Sequence, residues 1–395
     1  MTNTPTLPLE GITVVEIASS AFVLATGALL ADWGADVIKV DGVVGADAAT
    51  AADEILWRQL NRGKRSITLD VRTGAGENVL GRLIERADVF LTDLPPGAAG
   101  ELGLDLAAVR ARNPRLIYSR GTALGPRGPE RDRAGSDYTS YWARGGLAAT
   151  FQPMVGSSQS RPAEEPAQSF GDLPAAGILA GGIAAAVFRR TIDGEGAVVD
   201  ASLLGYAAFN LSMDVSAVSA GIGTLTGTPL LPPDRLSVAN PLTNAFRTKD
   251  GRFLTLCVMQ ERLFPQVCAD LGRDDMSTEE RFVDPNQRRQ HGPEIVQELD
   301  KTFATRTLAE WMNDLADTEW VWEPVQTIDE LMADPQVVAN EYLRPLDDAL
   351  PVVVSGPVQF DERSAPLRGA PSQGEHTEAV LAEVGLAPSA EQSQS

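Results

Sequence analysis

Two hydrophobic rhythms alternate along the first 120 residues. Short β-branched runs ("ITVVEI" at 12–17, "DVIKV", "SITLD" at 66–70, "DVFLTD", "RLIYSR") are separated by the Ala/Leu-rich "FVLATGALLADWG", the helix-like "GENVLGRLIERA" and "LAAVRAR". Strands of this kind, joined by helices of about ten residues, predict parallel βαβ units in an open α/β sheet. Such sheets take ligands in the crevice at the carboxyl ends of their strands.

From 151 to 169 the rhythm breaks into "FQPMVGSSQSRPAEEPAQS", a long loop read as a flap that delivers the chain to "FGDLPAAGILAGGIAAAVFRR". "GAVVDASLLGYAAFNL" (196–211) is followed by a Gly/Pro-rich connector that reaches Pro233. "NAFRTKDGRFLTLCV" predicts a hairpin turning at Lys249, Asp250 and Gly251, with helices near 261–271, 293–305 and 307–317. "PVVVSGPVQF" (351–360) reads as a late strand pair, "GEHTEAVLAEVGL" as a closing helix and "APSAEQSQS" as a disordered tail. The expected division is a large α/β domain over 1–205, a linker over 206–235, a small α+β domain over 236–330, and a return to the large domain over 331–395.

Composition narrows the function. The chain has 395 residues, 43% hydrophobic and 22% charged, with a formal net charge of -21. That charge repels phosphate backbones and anionic lipid, so neither a nucleic acid nor a membrane surface is an expected partner. Cys257 and Cys268 make no disulfide framework and suit a reducing cytoplasm. The first basic residue is Lys39, so the positive segment of a secretion signal is not expected. The uncharged run Leu173–Phe188 is too short to span a bilayer and holds four glycines or prolines.

Familiar chemical motifs are absent: no GxGxxG follows the first strand, and there is no phosphate-binding loop, GxSxG elbow or CxxC. The two histidines, His291 and His376, sit in polar surroundings late in the chain. A mechanism without histidine or a transition metal leaves a carboxylate, and whether Asp172 is that group or a structural one stays open at the level of composition. Locally, an aspartate just ahead of a proline and an apolar run also reads as a helix N-cap. "WRQLNRGKRSITLDVR" (57–72) gathers Arg58, Arg62, Lys64, Arg65 and Arg72, either a solvated face or a site for a small polyanion. "SYWARGGL" (140–147) offers Tyr141 and Trp142 as core residues or as a wall for a bulky or aromatic acid.

Several segments, in order along nearly the whole chain, resemble the class III CoA-transferases, the family of formyl-CoA transferase and α-methylacyl-CoA racemase. They are "PLEGITVVEIAS", "LLADWGADVIKVD", "LNRGKRSITLDVRTGAGENVLGRLIERADVFLTDLPPGAAGELGLD", "NPRLIYSRGTALGPRGPERDRAGSDY", "FGDLPAAGILAGGIAAA", "GAVVDASLL", "AFRTKDGRFL" and "GEHTEAVLAEVGL". The resemblance implies a Rossmann-like large domain and a small domain in an interlocked homodimer. It implies that Asp172 is a nucleophile that passes through an aspartyl anhydride and an aspartyl-CoA thioester. Acyl-CoA and a free carboxylic acid are then the substrates, and neither a metal nor a cofactor is needed. Backbone N–H groups at the helix start are expected to hold the oxyanions. Arg62, Lys64, Leu69, Arg72, Asp93, Leu94 and Arg133 become candidates around CoA, and Asp137 an orienting or structural acid.

The chain also departs from the family pattern. "SAFVLAT" (20–26) stands where an Ala-Gly-Pro turn is common, Asp93 replaces a frequent Asn, and Glu101 occupies a position that is basic in some relatives. No glycine-rich loop is evident near "GTPLLPPD". In racemase members a histidine precedes the acid of a G-H-D motif, whereas this chain reads "AGSDY" with Ser136 there. Serine is no base at neutral pH, so transfer is expected over racemisation, and the retained Asp172 argues against acyl-CoA binding without catalysis.

Overall fold

The computed structural model of the chain describes residues 7–42, 51–150, 165–221, 235–236, 240–348, 350–364 and 366–386. Most of the flap, the "GTPLLPPD" segment and the tail expected to be disordered lie outside the described residues.

Six strands, β1 (Thr13–Ile17), β2 (Asp36–Asp41), β3 (Arg65–Thr68), β4 (Val89–Thr92), β5 (Ile117–Thr122) and β6 (Val198–Ser202), form one sheet in the order β3-β2-β1-β4-β5-β6. Every pairing in it is parallel, so the expected α/β class and Rossmann-like order are met. The helices between them are α1 (Ala21–Asp32), α2 (Ala51–Asn61), α3 (Gly74–Arg86), α4 (Pro96–Glu101), α5 (Leu106–Arg112), the short α6 (Leu147–Thr150) and α7 (Asp172–Asp193). Alternation across the pleat sorts the strand residues. Val15, Ile17, Ile38, Val40, Ile67, Phe90 and Tyr118 pack with α3 and the closing helix Thr377–Glu383 in one buried cluster.

The other face carries charge. Cα pairing sets Glu16 beside Lys39 and Lys39 beside Ser66. Glu16 is fully buried inside β1 and is held by the Lys64 ammonium at 2.8 and 2.9 Å. Lys64 also donates to the Leu24 carbonyl of α1 at 2.9 Å and to Asn61 of α2 at 3.0 Å. Burial pulls Lys64 down to about 8 against the pull of Glu16, and raises Glu16. Arg62 grips Asp32 at the end of α1, at 2.6 Å, and the Gln59 carbonyl, also at 2.6 Å. These pairs fasten α1 and α2 to the sheet, and removing one partner would strand a buried charge.

The crevice between β1 and β4 is where such a sheet usually receives a ligand. There the Asp93 carboxylate accepts the N–H groups of Ser19 (2.8 Å) and Ser20 (2.6 Å) at the start of α1. The chain supplies its own anion to the donors that would otherwise meet a phosphate.

Contacts divide the chain into two units. One runs to Ala148, continues through Ser212 and returns from Pro335; the other contains Met213–Asp334. Residues 206–221 are not the plain linker expected: Leu203–Asn210 (α8) and Ser212–Ser219 (α9) are helices. In the second unit the predicted hairpin is present as β7 (Thr243–Arg247) and β8 (Phe253–Cys257), turning through Gly251 at φ +80, with β9 (Trp322–Pro324) paired to β8. Its core gathers Phe246, Leu254, Phe264, Leu299, Phe303 and Trp311. The late strand pair is corrected: Val352–Val354 pairs with the earlier Leu343–Pro345, not within "PVVVSGPVQF".

Candidate active site

Chain direction places Asp172. The chain leaves the sheet at the carboxyl end of β5 and re-enters at the start of β6, so α7 begins on the carboxyl edge. At its far end Arg190 is tied to Asp88, just ahead of β4, at 2.6 Å. With 22 residues, α7 is about 33 Å long, and about 27 Å of it separates that anchor from Asp172. It is long and apolar enough to pass for a membrane span by composition, yet 44% of its most apolar window is packed inside the protein.

Asp172 does not cap α7. Gly171 is the cap residue and Asp172 the first helical residue. The acceptor for their N–H groups comes from 35 residues upstream, where Asp137 Oδ2 lies 2.9 Å from the Gly171 nitrogen and 3.3 Å from that of Asp172. Asp137 opens a wide π-helical turn, Asp137–Ala143, whose own cap is Ser136 in a reciprocal pair with Thr139. Turns of this type often occur at functional sites. A side chain at Gly171 would collide with Tyr141 and Asp137, so only glycine lets the two segments meet. The preceding Ser169 takes a left-handed φ of 59, a conformation that costs energy for a residue with a Cβ.

This arrangement leaves Asp172 free and costly. It is 7% exposed, and its Oδ1 is buried without a hydrogen-bond partner. Burial, then the negative Asp137, push it up to about 6, opposed by a hydrogen bond from Ser169. A carboxylate of that basicity is mostly ionised at neutral pH, and more nucleophilic than an ordinary aspartate.

Other expectations at this site are corrected. The helix start offers no free oxyanion donors: Gly171 and Asp172 give their N–H groups to Asp137, Leu173 gives its own to the Ser169 carbonyl at 3.3 Å, and position 174 is proline. The basic cluster does not form one surface either. Arg62 and Lys64 are consumed by Asp32 and Glu16, while Arg72 is 70% exposed beside Asp70 and Arg133 66% exposed beside Glu130. Leu69 and Leu94 are core residues, their N–H groups bonded to the Asp41 carbonyl and to Thr92, and Asp93 is committed to α1. Of the candidate residues, the structure brings together Asp172, Asp137, Tyr141 and Trp142.

Tyr141 and Trp142 are each 1% exposed and form the bed beneath this turn rather than an open wall. The Tyr141 hydroxyl accepts a hydrogen bond from Asn210 at 2.6 Å, its ring stacks on Tyr206 at 5.4 Å, and Trp142 meets Phe170 edge-on at 6.2 Å. An apolar cleft of about 410 Å³ begins one helical turn past Asp172 and is lined by Ala175, Ile178, Ala201, Tyr206 and Phe209. Sequence reasoning missed Tyr206 and Asn210. It also missed Glu165, whose carboxyl lies within hydrogen-bonding reach of Asp137 and is pushed up to about 7 by burial and by that neighbour. The only signal for Glu165 was a carboxylate in a proline-rich stretch just ahead of the site. His376 lies by β3, the outer strand on the far side of the sheet, and His291 pairs with Glu294 in the second unit.

Comparison with known proteins supplies independent findings. A family description, CoA-transferase family III, matches residues 9–377. The chain is 28% identical over 392 residues to a (R)-2-hydroxy-4-methylpentanoate CoA-transferase from Clostridioides difficile, covering 95% of each. It is 29% identical to the human alpha-methylacyl-CoA racemase, covering 96% of this chain and 94% of the other. A crystal structure of Rv3272 from Mycobacterium tuberculosis superposes with a TM-score of 0.80 at 26% identity, covering 96% of this chain and 100% of that one.

The raised pKa makes a stability prediction. The folded chain binds the Asp172 proton more tightly than the unfolded chain, so this group supports folding at about pH 4 and loses that support as pH rises through about 6. Asp172→Asn should therefore be more stable than the parent at about pH 7.5, by about 3 kcal/mol, with the gain gone at about pH 4. Calorimetric Tm values at both pH values check this; equal Tm values at neutral pH would show that Asp172 carries no burial cost.

Proposed function

We propose that this chain, which belongs to CoA-transferase family III, transfers CoA from an acyl-CoA donor to a free carboxylic acid through the carboxylate of Asp172. The observation that carries this reading is the unpartnered Asp172 oxygen, raised in basicity at the carboxyl edge of the sheet. The ionised carboxylate attacks the donor thioester carbon, the C–S bond breaks and CoA leaves as a thiolate, giving an aspartyl–acyl anhydride. The thiolate then attacks the aspartyl carbonyl, releasing the donor acid and leaving an aspartyl-CoA thioester. An incoming carboxylate reverses both steps and departs as the new thioester. Each step exchanges groups at one carbonyl, so the chemistry asks for no metal or redox cofactor.

The racemase relative frames the alternative. Racemisation needs bases on both faces of the α-carbon, and Ser136, whose hydroxyl caps the π-helical turn, is not one. Two free cysteines suit a reducing cytoplasm, where acyl-CoA substrates are met.

Assembly as an interlocked homodimer belongs to the same proposal. α7 leaves apolar side chains in the open, with Leu173, Ile178, Phe188 and Ile192 exposed by 48%, 49%, 67% and 72%. Exposed apolar side chains at both ends of the helix that carries Asp172 favour burial against a second copy.

Asp172→Ala should abolish exchange between an acyl-CoA and a labelled acid, read by mass spectrometry, while CoA affinity persists. The parent enzyme should place no deuterium at the α-carbon of a chiral 2-methylacyl-CoA in heavy water; rapid exchange of that proton would restore the racemase reading. Light scattering should show a dimer that survives dilution, and a monomer at working concentration would remove the interlocked assembly.

A further inference from the structure

Three carboxyl oxygens in this site are buried without hydrogen-bond partners: Asp172 Oδ1, Asp137 Oδ1 and Glu165 Oε1. Such orphans are rare in native proteins and each calls for a cause. Among the described residues no group of three such acids is arranged to hold a metal ion. Glu165 nevertheless lies within hydrogen-bonding reach of Asp137, and two carboxyls can make that bond only with a proton between them. One shared proton accounts for the orphans on Asp137 and Glu165 together. It leaves Asp172 Oδ1 as the remaining orphan, and that oxygen is the attacking atom in the proposed reaction.

We propose that Glu165 is a positioning residue: its protonated carboxyl donates to Asp137, fixing the orientation in which Asp137 holds the N–H groups of Gly171 and Asp172. The inference rests on the reading of Asp172 as nucleophile. Asp137 is 7% exposed and is the group that anchors the start of α7. Without a donor on its second oxygen, a buried carboxylate would turn towards other partners and release the turn that aims Asp172.

Proton loss has a sign that can be read. The titratable groups facing Glu165 are Asp137 and Tyr141 of the π-helical turn and Asp172 of α7. Once Glu165 ionises, the bond to Asp137 is lost and a further negative charge meets a thiolate and an incoming carboxylate. Activity should therefore fall on the alkaline side as well as on the acid side, where Asp172 is protonated.

The test compares pH profiles of kcat/KM for CoA exchange in the parent, Glu165→Gln and Glu165→Ala. The amide of Gln still donates to Asp137 but cannot ionise, so Glu165→Gln should keep most of the activity and lose the alkaline limb. Glu165→Ala removes the donor and should lose about a hundredfold in kcat at all pH values, the scale set by misplacing a reacting group. An alkaline limb that persists in Glu165→Gln, or an Ala variant as active as the Gln variant, would overturn the proposal. A second readout needs no activity: infrared difference spectra between about pH 6 and pH 8 should show a protonated-carboxyl band lost in Asp172→Asn, where Asp172 no longer adds its own titration, and no such band in the double variant Asp172→Asn/Glu165→Gln. The band unchanged in that double variant would also overturn the proposal. Exchange that survives in Asp172→Ala would instead defeat the nucleophile reading, whatever the Glu165 variants show.

Discussion

The bond from the start of α7 to Asp137 sets the rest of the site. A helix opening at Asp172 must find acceptors for its first N–H groups, and the local candidate is Asp172 itself. Because Asp137 accepts them, the Asp172 side chain is released from capping and left with a buried, unpartnered oxygen. The same bond sets one negative group near another, which helps raise Asp172. Gly171, the left-handed Ser169 and the π-helical turn are the backbone conditions for that approach. Stability is given up there for reactivity, as is common where a protein does chemistry.

The sheet beneath supports this with charge as well as hydrocarbon. Glu16–Lys64 and Asp32–Arg62 pin α1 and α2, and α1 in turn packs along α7, where Thr26 lies 3.5 Å from the Ala176 carbonyl. At the crevice between β1 and β4, where this strand order usually receives a ligand, Asp93 accepts the first N–H groups of α1. The proposed chemistry lies at the edge of the sheet at β5 and β6, where α7 begins.

The parts of this account that were legible in the sequence are those governed by local pattern. β-branched runs fixed the strands of the first 120 residues because parallel strands are buried on both faces. The hairpin at Gly251 followed from turn chemistry, and Asp172 from the segments that resemble the family. What failed was non-local. The capping reading of Asp172 broke on an acceptor 35 residues away, and Arg62 and Lys64 looked like anion binders because Asp32 and Glu16 lie 30 and 48 residues off. A π-helical turn has no period in hydropathy to announce it, and the helices at 203–219 were hidden in a Gly- and Ser-containing stretch read as a connector. Glu165 was invisible for a related reason: nothing in "RPAEEPAQS" says which carboxylate folds back onto Asp137.

The central claim is that Asp172, freed by Asp137, becomes covalently acylated. Incubating the enzyme with an acyl-CoA donor, quenching with hydroxylamine and sequencing the digest by mass spectrometry tests it most directly. A hydroxamate at Asp172 that forms only when donor is present is the predicted result. An unmodified Asp172 under turning-over conditions, or a hydroxamate on Asp137 or Glu165 instead, would contradict it.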